Sequence, residues 1–125
     1  MQNLTASNPV VGKSKQELEV QNQKRAQLAE ALEQLRLRRE NIKQHGPVLY
    51  DSLWNARDDA ESRIWIDFAT NTVRSALGDV EAALFRNDAN FRKVPADSRH
   101  RDYDQMILNL KQYEMRLRKL IEKLE

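Results

Sequence analysis

From residue 103 to residue 124 the chain places Tyr103, Met106, Leu110, Tyr113, Leu117, Leu120 and Leu124 in alternating steps of three and four, with Ile107 and Ile121 beside them. That spacing puts every one of these side chains on a single helical stripe, and no strand pairing accommodates it. A helix over about 102–124 follows. Its apolar stripe must be covered by something, so the rest of the sequence is read for helices able to cover it.

Ser14 with Glu17 three residues later has the pattern of a capping box, so a first helix is expected over about 15–44. Positions 18, 21, 25, 28, 32, 35, 39 and 42 step in the same way, bringing Leu18, Leu28, Leu32, Leu35 and Ile42 together but including Gln21, Arg25 and Arg39. The polar interruptions predict packing inside a mixed bundle, with arginine stems lying along apolar neighbours. His45-Gly46-Pro47 ends this helix, since Gly46 can adopt positive φ and Pro47 cannot continue the ladder.

A second helix is expected over about 48–86, folded back on the first. On a helical projection Tyr50, Leu53, Ala60, Ile64 and Phe68 share one face, whereas Val73, Ala76, Leu77, Val80, Ala83 and Leu84 share another rotated away from it. The predicted consequence is a long central helix with two partners, the first helix against its first half and the last helix against its second. Trp65, Ile64 and Phe68 would fill the junction. Asp51, Asn55, Asp58 and Ser62 would face water. A competing expectation is a break at Thr70, Asn71 and Thr72, three poor helix formers in a row.

Residues 87–101 read as a loop, with Asn87, Asp88 and Asn90 favouring turns and Pro95 excluding a helix interior, and Asp102 is the expected cap of the last helix. Residues 1–13 read as a flexible tail and 14–125 as one helical domain. With only three glycines and three prolines, too few turns exist for an all-β fold. The expected fold is all-α: an elongated antiparallel three-helix bundle, or coiled-coil hairpin, around a long central helix.

Composition excludes several chemistries. There is no cysteine, hence no disulfide and no thiolate chemistry, and no run approaches the roughly 18 apolar residues of a membrane span. The N-terminus has neither the basic start nor the apolar stretch of a secretory signal, which makes a cytoplasmic location the expectation. Asp51, Asp58, Asp59, Glu61 and Asp67 lack the spacing of a metal or acid–base site and read as a solvated face. His45 and His100 stand in connections without triad or zinc partners, and the isolated glycines form no phosphate loop. No catalytic residue, metal site, cofactor or small-molecule substrate is expected.

The function expected is a non-enzymatic protein–protein interaction or assembly module, an adaptor, chaperone-like or structural subunit, self-associating or binding another protein through heptad faces its own helices leave open. Tyr50 and Trp54 near the hairpin end, and Leu110, Tyr113, Leu117 and Leu120 on the last helix, are the candidate partner contacts. The alternative is a nucleic-acid-associated protein. Arg92, Lys93, Arg99 and Arg101 in the loop are the candidate phosphate or acidic-surface contacts, diluted by Asp88 and Asp97 and accompanied by no nucleic-acid motif.

Overall fold

Ser14 accepts a hydrogen bond on its hydroxyl from the Glu17 amide at 3.1 Å, so the first helix begins where its capping sequence places it. The computed structural model describes residues 14–51 and 55–125, and side chains outside 48–59. The described residues form an all-α bundle of α1 (Lys15–Asp51), α2 (Asn55–Leu77), α3 (Asp79–Arg86) and α4 (Arg101–Lys123).

α1 is interrupted at Gly46, whose φ of 79° and ψ of 165° lie in a region open essentially to glycine alone, with Pro47 directly after it. The chain then reverses. Arg38 meets Glu61, and Gln27 and Glu30 share a shallow groove with Phe68 and Ser75, which makes α2 antiparallel to α1.

α2 departs from the expected long central helix in two ways. It ends at Gly78, where φ is 97° and ψ 175°, and α3 leaves in a new direction with Gly78 as its N-cap residue and Asp79 and Glu81 in its first turn. The competing expectation, a break at 70–72, is not met. The Thr70 and Thr72 hydroxyls donate to the carbonyl oxygens of Ile66 and Phe68, one turn back, at 2.8 and 3.0 Å, so these residues continue the ladder.

The second departure concerns the buried face. Ser62, Ile66, Ala69, Val73 and Ala76 form one buried stripe along the described side chains of α2, and no change of side occurs among them. Ser62 is fully buried where solvent was expected, whereas Ile64 is 63% and Phe68 41% exposed where core was expected. Trp65 lies at the margin, half-buried against the core and edge-on to Phe68 with ring centroids 5.7 Å apart. Asp51, Asn55 and Asp58, the other residues expected in water, have side chains outside the described residues.

α4 runs antiparallel along α1 and does not take the second half of α2. Gln21 donates to the Leu124 carbonyl at one end, and at the other Arg39 Nε and Nη2 reach Glu114 Oε2 and Oε1 at 2.7 and 3.1 Å. This bidentate contact holds Arg39 in its charged form beyond the ordinary guanidinium range. α1 is therefore the element that packs extensively against both long neighbours, the role expected of α2.

α3 folds back on α2, with Arg86 Nε 3.5 Å from Asp67, and residues 87–100 continue antiparallel to α4. Two glutamines a heptad apart pin this segment. Gln112 Oε1 accepts from the Arg92 amide at 2.8 Å and Gln105 Oε1 from the Val94 amide at 2.9 Å, while Gln105 Nε2 donates to the Arg92 carbonyl at 3.1 Å. The backbone amides that have no helix to serve are thus satisfied by side chains. Phe91 is buried, and its ring stands 4.8 Å from Tyr113, which also packs 5.3 Å from Phe85. The last helix starts one residue earlier than expected, with His100 and not Asp102 at the cap position.

Candidate interaction surfaces

Besides Val80 and Leu84, which were expected on a packed face but stand exposed one turn apart on α3, two described surfaces differ from an ordinary solvated helix face. The first is the outer side of α2. Ile64 and Phe68 stand one turn apart and project from the bundle, the Trp65 ring flanks them, and the groove of about 320 Å³ beside Phe68 is bounded by Gln27 and Glu30 of α1 and Asn71, Thr72 and Ser75 of α2. Arg63, Asp67 and Arg74, charges of both signs, border this face and are exposed.

The second surface is a groove of about 430 Å³ between residues 90–92 and α4, lined by Asn90, Phe91, Arg92, Leu108, Lys111, Gln112, Met115, Arg116 and Lys119. All four ionisable residues in that lining are cations. Arg116 is committed to structure: its Nη1 donates to the carbonyls of Leu84, Phe85 and Asn87, which end α3, and its guanidinium lies 4.3 Å over the Phe91 ring. Arg92, Lys111 and Lys119 have no carboxylate partner among the described residues. Met115, in their midst, is 53% exposed.

The residues singled out from the sequence fall differently. Leu110, Tyr113, Leu117 and Leu120, expected to face a partner, are buried in the chain's own core, because α1, α3 and the pinned segment together cover the α4 stripe. Tyr113 is doubly engaged: its hydroxyl accepts from Arg86 Nη1 at 2.8 Å and donates to the Arg86 carbonyl at 3.3 Å. Burial raises its phenol above the ordinary range, with Arg86 pulling the other way. The Tyr50 side chain and Trp54 lie outside the described residues.

Arg92, Lys93, Arg99 and Arg101 are all exposed, but they do not form one cluster. Arg92 sits beside Gln112, whereas Ser98 reaches Asp104, so the segment distributes its cations over about two turns of α4, on the order of 12 Å. Of the four, Arg92 alone lines the groove, and the residues that complete it, Lys111, Met115 and Lys119, were not anticipated. Their signal is present in the sequence: Leu108, Lys111, Met115 and Lys119 step by three, four and four along a second stripe of α4.

Among the described residues no helix is long and apolar enough to cross a membrane, and no group of three or more His, Asp or Glu is placed to hold a metal ion. No protein-family model matches the chain, and no curated protein or solved structure matches it.

Proposed function

We propose that the chain is a non-enzymatic protein–protein interaction or assembly module, a structural or adaptor subunit, that meets a second copy of itself through the outer face of α2. The inverted sorting of side chains on that helix carries the reading. α2 buries Ser62, Ala69, Thr70 and Ala76 alongside Ile66 and Val73, and leaves the larger Ile64 and Phe68 side chains outside. A chain folding for its own stability alone gains roughly 1.5–3 kcal/mol from fully burying each large apolar side chain. Leaving two of them on one exposed face is accounted for when another surface covers them. A two-fold axis would bring this patch against its own copy, each protomer covering the other's apolar pair.

Phosphate binding by the 92–101 segment has less support, because its cations are strung along α4 and its backbone is pinned.

Sedimentation of the full chain over a range of concentrations tests the reading, alongside the double variant Ile64→Ser, Phe68→Ser. The natural chain should be dimeric and the variant monomeric at equal helix content. A natural chain that stays monomeric at the highest concentration overturns the self-association.

A further inference from the structure

We propose that the groove between residues 90–92 and α4 docks an acidic amphipathic helix of a partner protein, its carboxylates meeting Arg92, Lys111 and Lys119 and a large apolar side chain seating on Met115 against Leu108. This surface is separate from the α2 face and does not depend on self-association through it.

Three observations converge. Charge in the groove is of one sign, with no carboxylate in the lining and three cations lacking carboxylate partners among the described residues, so a negatively charged occupant meets no resident competitor. The cations frame an apolar centre: Lys111 and Lys119 lie about a turn to either side of Met115, on the order of 12 Å apart along the axis. A helix laid along α4 presents side chains at the same repeat, carboxylate, apolar residue, carboxylate, which fits that order. The walls are also rigid. Arg116 is fixed by three carbonyl oxygens and stacked on Phe91, and Gln105 and Gln112 hold the backbone of Arg92, so the walls are in place before binding and only the exposed side chains of Arg92, Lys111, Met115 and Lys119 have to order.

The exposed thioether favours a protein over a nucleic acid, because a phosphate backbone crossing from Lys111 to Lys119 would lie over Met115 and lose hydration there with nothing apolar to offer in return. The chain's own residues 1–13 contain no Asp or Glu and offer no complementary charge.

The test uses the full chain and a fluorescein-labelled helical peptide with glutamates two turns apart and a leucine midway between them. A peptide with glutamine for glutamate and a single-stranded DNA oligonucleotide serve as comparisons, and circular dichroism confirms that each variant is folded. Fluorescence anisotropy should show saturable binding of the acidic peptide, weakened about tenfold or more by Lys111→Glu with Lys119→Glu and several-fold by Met115→Ala. The glutamine peptide should bind much more weakly. Equal binding of the two peptides, or indifference to all three substitutions, overturns the proposal. DNA binding tighter than peptide binding, abolished by the lysine changes and untouched by Met115→Ala, replaces it with the nucleic-acid reading. Self-association lost on Lys111→Glu with Lys119→Glu, while Ile64→Ser with Phe68→Ser has no effect, would make the occupant a second copy and overturn both this proposal and the α2 interface. Loss of dimerisation on changing Ile64 and Phe68 with peptide binding intact supports both.

Discussion

Arg38 and Arg39 are adjacent in the chain and reach different helices: Arg38 Nη1 lies 2.6 Å from Glu61 on α2, and Arg39 makes its two-point contact with Glu114 on α4. One turn of α1 thus fixes the register of both neighbours. The two pairs differ in environment, since Glu61 keeps part of its surface in water while the Glu114 side chain is only 3% exposed.

The Arg39–Glu114 pair therefore sets up an asymmetric response. Arg39→Ala leaves a buried carboxylate without its cation and should cost about 3–5 kcal/mol, whereas replacing both partners by apolar residues of similar volume, as in Arg39→Met with Glu114→Leu, should be near neutral. Urea denaturation of Arg39→Met, Glu114→Leu and the double variant, with Arg39→Ala beside them, checks this. Single-variant losses that simply add in the double variant would show that the residues do not act as a pair.

Gly78 holds the elbow between α2 and α3. A Cβ there would meet no atom within 4 Å, so Gly78→Ala should cost only the backbone strain of its φ of 97°, about 1–3 kcal/mol, without loss of helix content. Thermal melting followed at helical wavelengths reads the loss directly. An unchanged melting temperature would mean that the helix runs straight through this position.

Phe91 is the apolar anchor of the segment between α3 and α4. Phe91→Ala should cost about 3–5 kcal/mol and should speed hydrogen exchange at the amides of Arg92 and Val94, which the glutamines now protect. Exchange at those two amides as fast as in a free peptide already in the natural chain would contradict the pinned segment.

Tyr113 gives a pH dependence with a definite sign. Its folded-state pKa is raised by burial, so the folded chain retains this proton at pH values where the unfolded chain has lost it. Its stabilising contribution is complete below the unfolded value near pH 10 and is lost as pH rises through the higher folded value. Tyr113→Phe should remove this alkaline component of the melting-temperature profile, at a cost of about 1 kcal/mol near neutrality for the lost Arg86 hydrogen bond. Parallel alkaline profiles for the two chains would refute the assignment.

The helical class, the start of α1 at Ser14, the reversal after His45 and the apolar stripe of α4 were legible because each rests on local rules of spacing, capping or positive φ, but that the chain's own core covers Leu110, Tyr113, Leu117 and Leu120 was not. The division of α2 from α3 was not legible either. An isolated glycine inside a helical pattern is compatible with continuation, and only packing of Ala82 and Phe85 into the core decides for an elbow. The buried side of α2 was misjudged for a related reason: size and polarity favour Ile64 over Ser62 as core, yet the face that α1 covers runs through Ser62, Ile66, Ala69 and Val73. Neither Phe91 nor the pinning glutamines announced themselves, since contacts between a coil and a distant helix leave no periodic trace. Likewise the groove on α4 was hidden behind the stronger stripe of the same helix, although Leu108, Lys111, Met115 and Lys119 were there to be counted.

The separation of buried and exposed side chains on α2 has an implication for how this chain tolerates change. Ser62, Ile66, Ala69 and Val73 answer to the interior, whereas under the proposed association Ile64 and Phe68 answer to the exterior, so the two duties would fall on non-overlapping residues of one rod. A library randomised at positions 64 and 68 should therefore yield folded proteins at high frequency while their association preferences diverge, whereas the same library at 62 and 69 should yield few survivors. The outward pair can drift toward a new binding specificity without putting the architecture at risk.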